Sequence, residues 1–97
     1  MATYVTLYKF TEQGLKNIKD TVKRAESAKK SAAAAGIQVK ETLWLLGQYD
    51  LMAISEAPDE ITGTALALTT DKHGNVHSIT MRAFTAAEME KILEKVA

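Results

Sequence analysis

The sequence predicts an α+β domain in which helices pack on a four-stranded antiparallel sheet. Four runs rich in β-branched and aromatic residues indicate strands. Segments with apolar residues at three- and four-residue steps follow the first, third and fourth runs and indicate helices. The order is therefore β-α-β-β-α-β with a C-terminal helix, which is the split β-α-β or ferredoxin-like arrangement. Because such crossovers are right-handed, both main helices are expected on one face of the sheet.

Composition limits the classes of function. A length of 97 residues predicts one domain spanning residues 1–97. The 12 basic and 12 acidic residues balance, so the chain carries no electrostatic signature of a nucleic-acid or membrane partner. The absence of cysteine excludes disulfides and thiolate metal sites. With no signal peptide and no apolar run of about 20 residues, we expect a cytoplasmic protein. We also expect neither a cofactor nor a bound metal.

The first half of the chain predicts a strand, a long helix and a second strand. The first strand is expected at Tyr4–Phe10, and Thr11 is a candidate N-cap for the helix. Gly36 supplies the expected C-terminal stop, and the second strand is predicted at Ile37–Leu46. One apolar stripe predicts the buried face of the helix: Leu15, Ile18, Val22, Ala25 and Ala28.

The second half repeats this pattern with a shorter helix. Strands are predicted at Leu51–Ala57 and Val76–Phe84, with a helix at about Asp59–Thr70 between them. Thr85 and Glu88 have the spacing of a capping box, which predicts the start of the terminal helix.

Both faces of the predicted sheet carry apolar side chains. The two phases of the first strand are Val5 and Leu7 on one side and Tyr4, Thr6, Tyr8 and Phe10 on the other. Since the helices cover one face, we expect the aromatic and threonine-rich phase to need a partner or a ligand. A second copy of the chain is the expected cover, and a terminal helix folded across the face is the alternative.

The stretch LLGQYDLMAISEAPDE resembles the hallmark of the GYD-domain family, with Gly47, Tyr49 and Asp50 as the named tripeptide. The opening YVTLYKFTEQGLKNIKDTVKRAE and the ending GNVHSITMRAFTAAEMEKIL are similar to the first and last strand–helix pairs of that family. Gly63 and His73 are less typical of the family pattern than the rest of the sequence. The resemblance implies a small homodimeric protein of the dimeric α+β-barrel type, and it implies no established reaction.

Seven residues are candidates for a ligand site or for the motif: Tyr8, Trp44, Gly47, Tyr49, Asp50, His77 and Arg82. Gly47 and Asp50 fit a hairpin turn between the second and third strands, whereas turn chemistry does not explain Tyr49. Tyr49 and Asp50 therefore either pin the hairpin or the dimer edge, or bind a ligand.

The other candidates also allow two interpretations. Arg82 is expected to pair with Asp50 or Glu41, or else with an anionic group of a substrate. His77 is expected to be hydrogen-bonded rather than to bind a metal. Trp44 and the aromatic residues of the first strand line either an apolar ligand cavity or simply the core and the dimer interface.

Three functions are consistent with these features. The first is a small-molecule-binding or regulatory module that acts as a homodimer. The second is a cofactor-free enzyme of the dimeric α+β-barrel type, oxygenase- or isomerase-like, which rests on analogy of fold. It would require at least three of Tyr49, Asp50, His77 and Arg82 around one pocket. The third is a structural assembly unit.

Overall fold

A computed structural model describes all residues, 1–97, and confirms the predicted α+β class and ferredoxin-like order. The elements are β1 (Ala2–Phe10), α1 (Glu12–Lys16), α2 (Thr21–Ala34), β2 (Gln38–Trp44), β3 (Leu51–Ala57), α3 (Glu60–Lys72), β4 (Val76–Ala83) and α4 (Ala86–Glu94). A 3₁₀ turn at Ile18–Asp20 separates α1 from α2. None of these helices is both long enough and apolar enough to span a bilayer.

The sheet has the strand order β2-β3-β1-β4, and every neighbouring pair is antiparallel. Directly paired residues share a face, and one row of pairs crosses the whole sheet: Trp44, Leu51, Tyr8 and Ser78. The Trp44 indole donates to Thr21 of α2 at 3.1 Å, and Ser78 donates to Asp71 of α3 at 3.0 Å. Both helices therefore lie on the face of this row, as the handedness of the crossovers predicts.

The aromatic and threonine-rich phase lies beneath the helices, which corrects the prediction that this phase is uncovered. Tyr4 packs against the buried cluster of Ala32, Ile37 and Ala57. A Cβ built on Gly63 of α3 would lie 3.9 Å from the Tyr4 ring, so small residues on the helices leave room for the aromatic ring. The uncovered face is the aliphatic phase: Val5, Leu7, Leu43, Met52, Ile54, Ile79 and Met81.

The first predicted helix is divided, and most of its predicted buried face is exposed. Three residues of that stripe have exposed fractions of 58%, 38% and 53%: Leu15, Ile18 and Val22. Arg24 holds the break, since its guanidinium donates to the carbonyl oxygens of Asn17 at 2.6 Å and Gly14 at 3.4 Å. Because the chain changes direction there, a stripe drawn on one continuous helix does not stay on one face. Ala32, farther along α2, is fully buried.

The terminal helix α4 begins at the predicted capping box. The Thr85 hydroxyl accepts from the Glu88 amide at 3.2 Å, and the Glu88 carboxylate accepts from the Thr85 amide at 3.0 Å. This helix does not pack along any strand, and Met89 and Leu93 stay about half-exposed. The alternative in which α4 folds across the uncovered sheet face is therefore not what the structure shows.

Helix α1 is docked against the turn that precedes β4. The Thr11 side chain accepts from the Gly14 amide at 3.1 Å, which confirms the predicted N-cap. Thr11 also donates from its hydroxyl to the Gly74 carbonyl and from its amide to the Asn75 carbonyl. The fit is so close that a Cβ built on Gly14 would lie 2.1 Å from the Asn75 carbonyl oxygen.

We expect Gly14→Ala to lower the free energy of unfolding by about 1–3 kcal/mol, because the new methyl group overlaps a backbone carbonyl. Gly63→Ala is the matched control, since its Cβ would meet Ala57 at an ordinary 3.6 Å. Removing a glycine from a helix interior should raise the free energy of unfolding there by up to about 1 kcal/mol. Urea denaturation followed by circular dichroism measures both values. Equal effects of the two changes would contradict the docking of α1 on Asn75.

Candidate functional site

A cavity of about 410 Å³ lies between α2, α3 and the sheet. Helix α2 packs mainly on β2 and helix α3 mainly on β4, and these are the two edge strands. The helices therefore leave a gap above the central strands β1 and β3. The floor of this gap is apolar and includes Phe10, Val39, Leu51, Ala53 and Val76.

The walls of the cavity carry basic side chains and hydroxyl groups but no carboxylate. Arg24 and Lys29 come from α2, and His73 follows α3. Neither Arg24 nor Lys29 forms an ion pair with an acidic residue. The hydroxyls of Thr69 and Thr70 donate to carbonyl oxygens of their own helix at 2.8 and 3.0 Å. The polar groups free to meet a ligand therefore lie mostly on the α2 wall.

Tyr8 supplies a phenol to the cavity. Burial raises the pKa of Tyr8, the charge of Asp71 raises it further, and the Thr6 hydroxyl opposes the rise. The phenol is therefore neutral and can donate or accept a hydrogen bond. Asp71 accepts from the Ser78 hydroxyl with Oδ2, while its buried Oδ1 has no hydrogen-bond partner. Sequence reasoning missed Asp71 because the predicted helix ended at Thr70, although α3 continues to Lys72.

Asp50 of the GYD motif joins the ends of three strands through its own backbone and side chain. Its carboxylate accepts from the Phe10 amide at 2.9 Å, and its amide donates to the Tyr8 carbonyl at 2.9 Å. Its carbonyl accepts from the Leu45 amide at 2.9 Å. Gly47 has a φ of 154° and an open surrounding, and the half-buried Tyr49 makes no side-chain hydrogen bond. These contacts support the hairpin-pinning interpretation of Asp50.

Arg82 lies far from Asp50, and the predicted pairing with Asp50 or Glu41 is wrong. The guanidinium instead pairs with Glu88 of the capping box at 3.2 Å. It also lies over the Phe84 ring, 4.5 Å from the centroid, which is a cation–π contact. Arg82 is paired with Tyr4 near the start of β1, whereas Asp50 is hydrogen-bonded to Phe10 at its end. The two side chains are therefore too far apart to form a salt bridge.

The remaining candidates are also dispersed. His77 lies on the uncovered face of the sheet, where it is paired with Lys9 and exposed. Trp44 lines a second, smaller cavity of about 320 Å³ between α2 and β2, next to the main one. Of the seven predicted residues, Tyr8 lines the main cavity and Trp44 the smaller one. His73, the C-cap residue of α3, also lines the main cavity.

These features define a ferredoxin-like α+β fold with a cavity between its helices and its sheet. The chain belongs to the GYD domain family, whose model matches residues 4–93. This confirms the family resemblance of the sequence over nearly its whole length.

Two solved structures share the fold. FFRP-DM1 aligns with a TM-score of 0.56 and 20% sequence identity, covering 87% of this chain and 100% of its own. An ACT domain protein from Streptococcus pneumoniae aligns with a TM-score of 0.52 and 15% identity, covering 100% of this chain and 98% of its own. At these identities the likeness shows the fold alone. No curated protein matches the chain.

We expect Asp50→Ala to lower the free energy of unfolding by about 1–3 kcal/mol, because the Phe10 amide loses its acceptor. Asp50→Asn keeps a carbonyl oxygen in that place and should recover most of the loss. Tyr49→Phe removes a hydroxyl without a hydrogen bond, so its effect should stay within about 0.5 kcal/mol. Urea denaturation of the three variants measures these differences. A fully stable Asp50→Ala protein would show that the carboxylate does not pin the hairpin.

Proposed function

We propose that the protein is a small-molecule-binding module that acts as a homodimer, with the ligand held between α2, α3 and the sheet. The cavity is the observation that carries this proposal. Its volume of about 410 Å³ lies within the range of roughly 300–1,000 Å³ typical of ligand sites. Its apolar floor and the polar groups of its walls also fit such a site, because apolar surface supplies affinity and polar groups fix orientation.

The uncovered face of the sheet supports the pairing of two copies. Leu43, Ile79 and Met81 have exposed fractions of 46%, 49% and 43%, and they lie on the same apolar face. A continuous apolar surface of this kind usually marks an interface. A sheet face is also suited to two-fold pairing, in which the same patch of each chain meets its copy.

The total accessible surface area of the chain also supports dimer formation. Its accessible surface is 6851 Å². A compact monomer of its mass, 10.6 kDa, is expected to expose about 5,500 Å². The excess of about 1,400 Å² is larger than the roughly 800 Å² that each partner buries in a standard interface. The chain therefore has enough spare surface to form a stable dimer.

The geometry favours binding over the enzymatic alternative. That alternative needs at least three of Tyr49, Asp50, His77 and Arg82 around one pocket. None of the four lines the main cavity. The groups that do line it are apolar side chains, hydroxyls, the Asn75 amide and basic side chains, which suit recognition of a ligand.

The homodimer predicts that sedimentation equilibrium gives about twice the chain mass of 10.6 kDa at micromolar concentration. Met81→Lys places a charge on the uncovered face and should shift the protein toward the monomer. Ala33→Lys, on the exposed side of α2, is the matched control and should leave the mass unchanged. A monomeric natural protein would contradict the dimer, and a mass well above two chains would favour the structural assembly unit.

The cavity predicts that at least one metabolite raises the melting temperature in a thermal-shift screen. Ala28 lines the cavity, so Ala28→Phe should fill part of it and abolish that rise. Ala33→Phe adds the same ring on the exposed side of α2 and should keep the rise. A metabolite that stabilises Ala28→Phe as well as the natural protein would bind elsewhere and contradict the proposed site.

A further inference from the structure

We infer that the cavity between α2, α3 and the sheet selects small molecules that carry one anionic group, such as a carboxylate, on an apolar body. This inference rests on the proposed function and specifies its ligand class. It depends on the distribution of charge around the cavity. Two basic side chains line the α2 wall, Arg24 and Lys29, and no Asp or Glu lines the cavity at all.

Arg24 is held in place without being neutralised. Its guanidinium donates to the carbonyl oxygens of Asn17 and Gly14, which fix its orientation but carry no net charge. A guanidinium has five N–H donors, and these two bonds leave others for a ligand. Lys29 lies farther along the same helix. Its side chain is exposed and flexible, so it can adjust its position to the ligand. The wall thus combines one oriented cation with one flexible cation.

The acidic residues near the cavity do not cancel this charge. The charge of Asp71 acts on Tyr8 at the floor, but Asp71 belongs to α3 rather than to the α2 wall and is not part of the cavity lining. Glu26 and Glu41 line the smaller neighbouring cavity together with Lys29 and Lys40. The formal net charge of the chain is zero, so the excess of positive charge is local to this wall.

The arrangement also predicts how the ligand lies. Its anionic group should face the α2 wall, and its apolar body should lie over Phe10, Leu51 and Val76 of the floor. The Tyr8 phenol, kept neutral by burial, offers one further hydrogen bond from the floor. Charge-assisted hydrogen bonds are about twice as strong as neutral ones, so the anionic group should contribute much of the discrimination.

Octanoate and 1-octanol are a suitable pair of probes, because they match in chain length and differ in charge. Trp44, the single tryptophan, lines the adjacent cavity and reports binding by fluorescence. We expect octanoate to bind about tenfold more tightly than 1-octanol in the natural protein. Arg24→Gln should remove most of that difference, and Lys29→Gln part of it, while 1-octanol binding stays unchanged.

The control is Lys30→Gln, which removes a neighbouring charge of α2 that does not line the cavity and should leave both affinities unchanged. Retained binding of 1-octanol shows that the Arg24 variant is folded, and Arg24→Lys should restore part of the octanoate affinity. Equal affinities for the two probes would overturn the anion preference and leave a neutral binding cavity standing.

Two further outcomes would also overturn the inference. Octanoate that still binds Ala28→Phe with full affinity would lie outside the cavity. Failure of both probes would refute the amphipathic ligand class, and the metabolite screen with the same Ala28→Phe variant would then show separately whether the cavity binds anything.

Discussion

Right-handed crossovers place α2 and α3 on one face of a sheet whose two faces both carry apolar side chains. With two crossover helices for four strands, the second face has no cover within the chain, and α4 does not supply one. Leu43, Ile79 and Met81 therefore remain about half-exposed. The small number of buried residues and the large accessible surface follow from the same constraint, because a single layer of helices cannot enclose both faces.

The covered face has its own incomplete packing. Its helices lie above the edge strands. The alanine side chains of α2 that face the sheet are too small to fill the space over the central strands. Arg24 connects this gap to the helix break, because the bonds that hold α1 against α2 also hold a guanidinium in the cavity wall. Arg24 thus stabilises the fold and also supplies the oriented positive charge of the cavity wall. The proposed ligand class depends on this fixed and uncompensated charge of Arg24 in the cavity wall.

The GYD motif has a different role from the cavity. Asp50 binds backbone groups of Phe10 and Tyr8, and neither Tyr49 nor Gly47 lines the main cavity. For this chain, Asp50 of the family motif maintains the junction of three strand ends. The residues proposed to bind a ligand lie instead on α2 and on the sheet strands that form the cavity floor, where the sequence shows no motif. Alanines, a lysine and an arginine on a solvated helix do not stand out as a site.

The sequence by itself determined the local features of this protein. The bounds of β3 at Leu51–Ala57, the Thr11 cap and the Thr85 capping box agree with the structure because each depends on neighbouring residues. Only the tertiary structure decided which sheet face is covered, since alternation separates two phases but assigns neither to the helices. It also decided the partner of Arg82 and the existence of the cavity. Both depend on how distant elements are placed, and no local pattern in the chain records that placement.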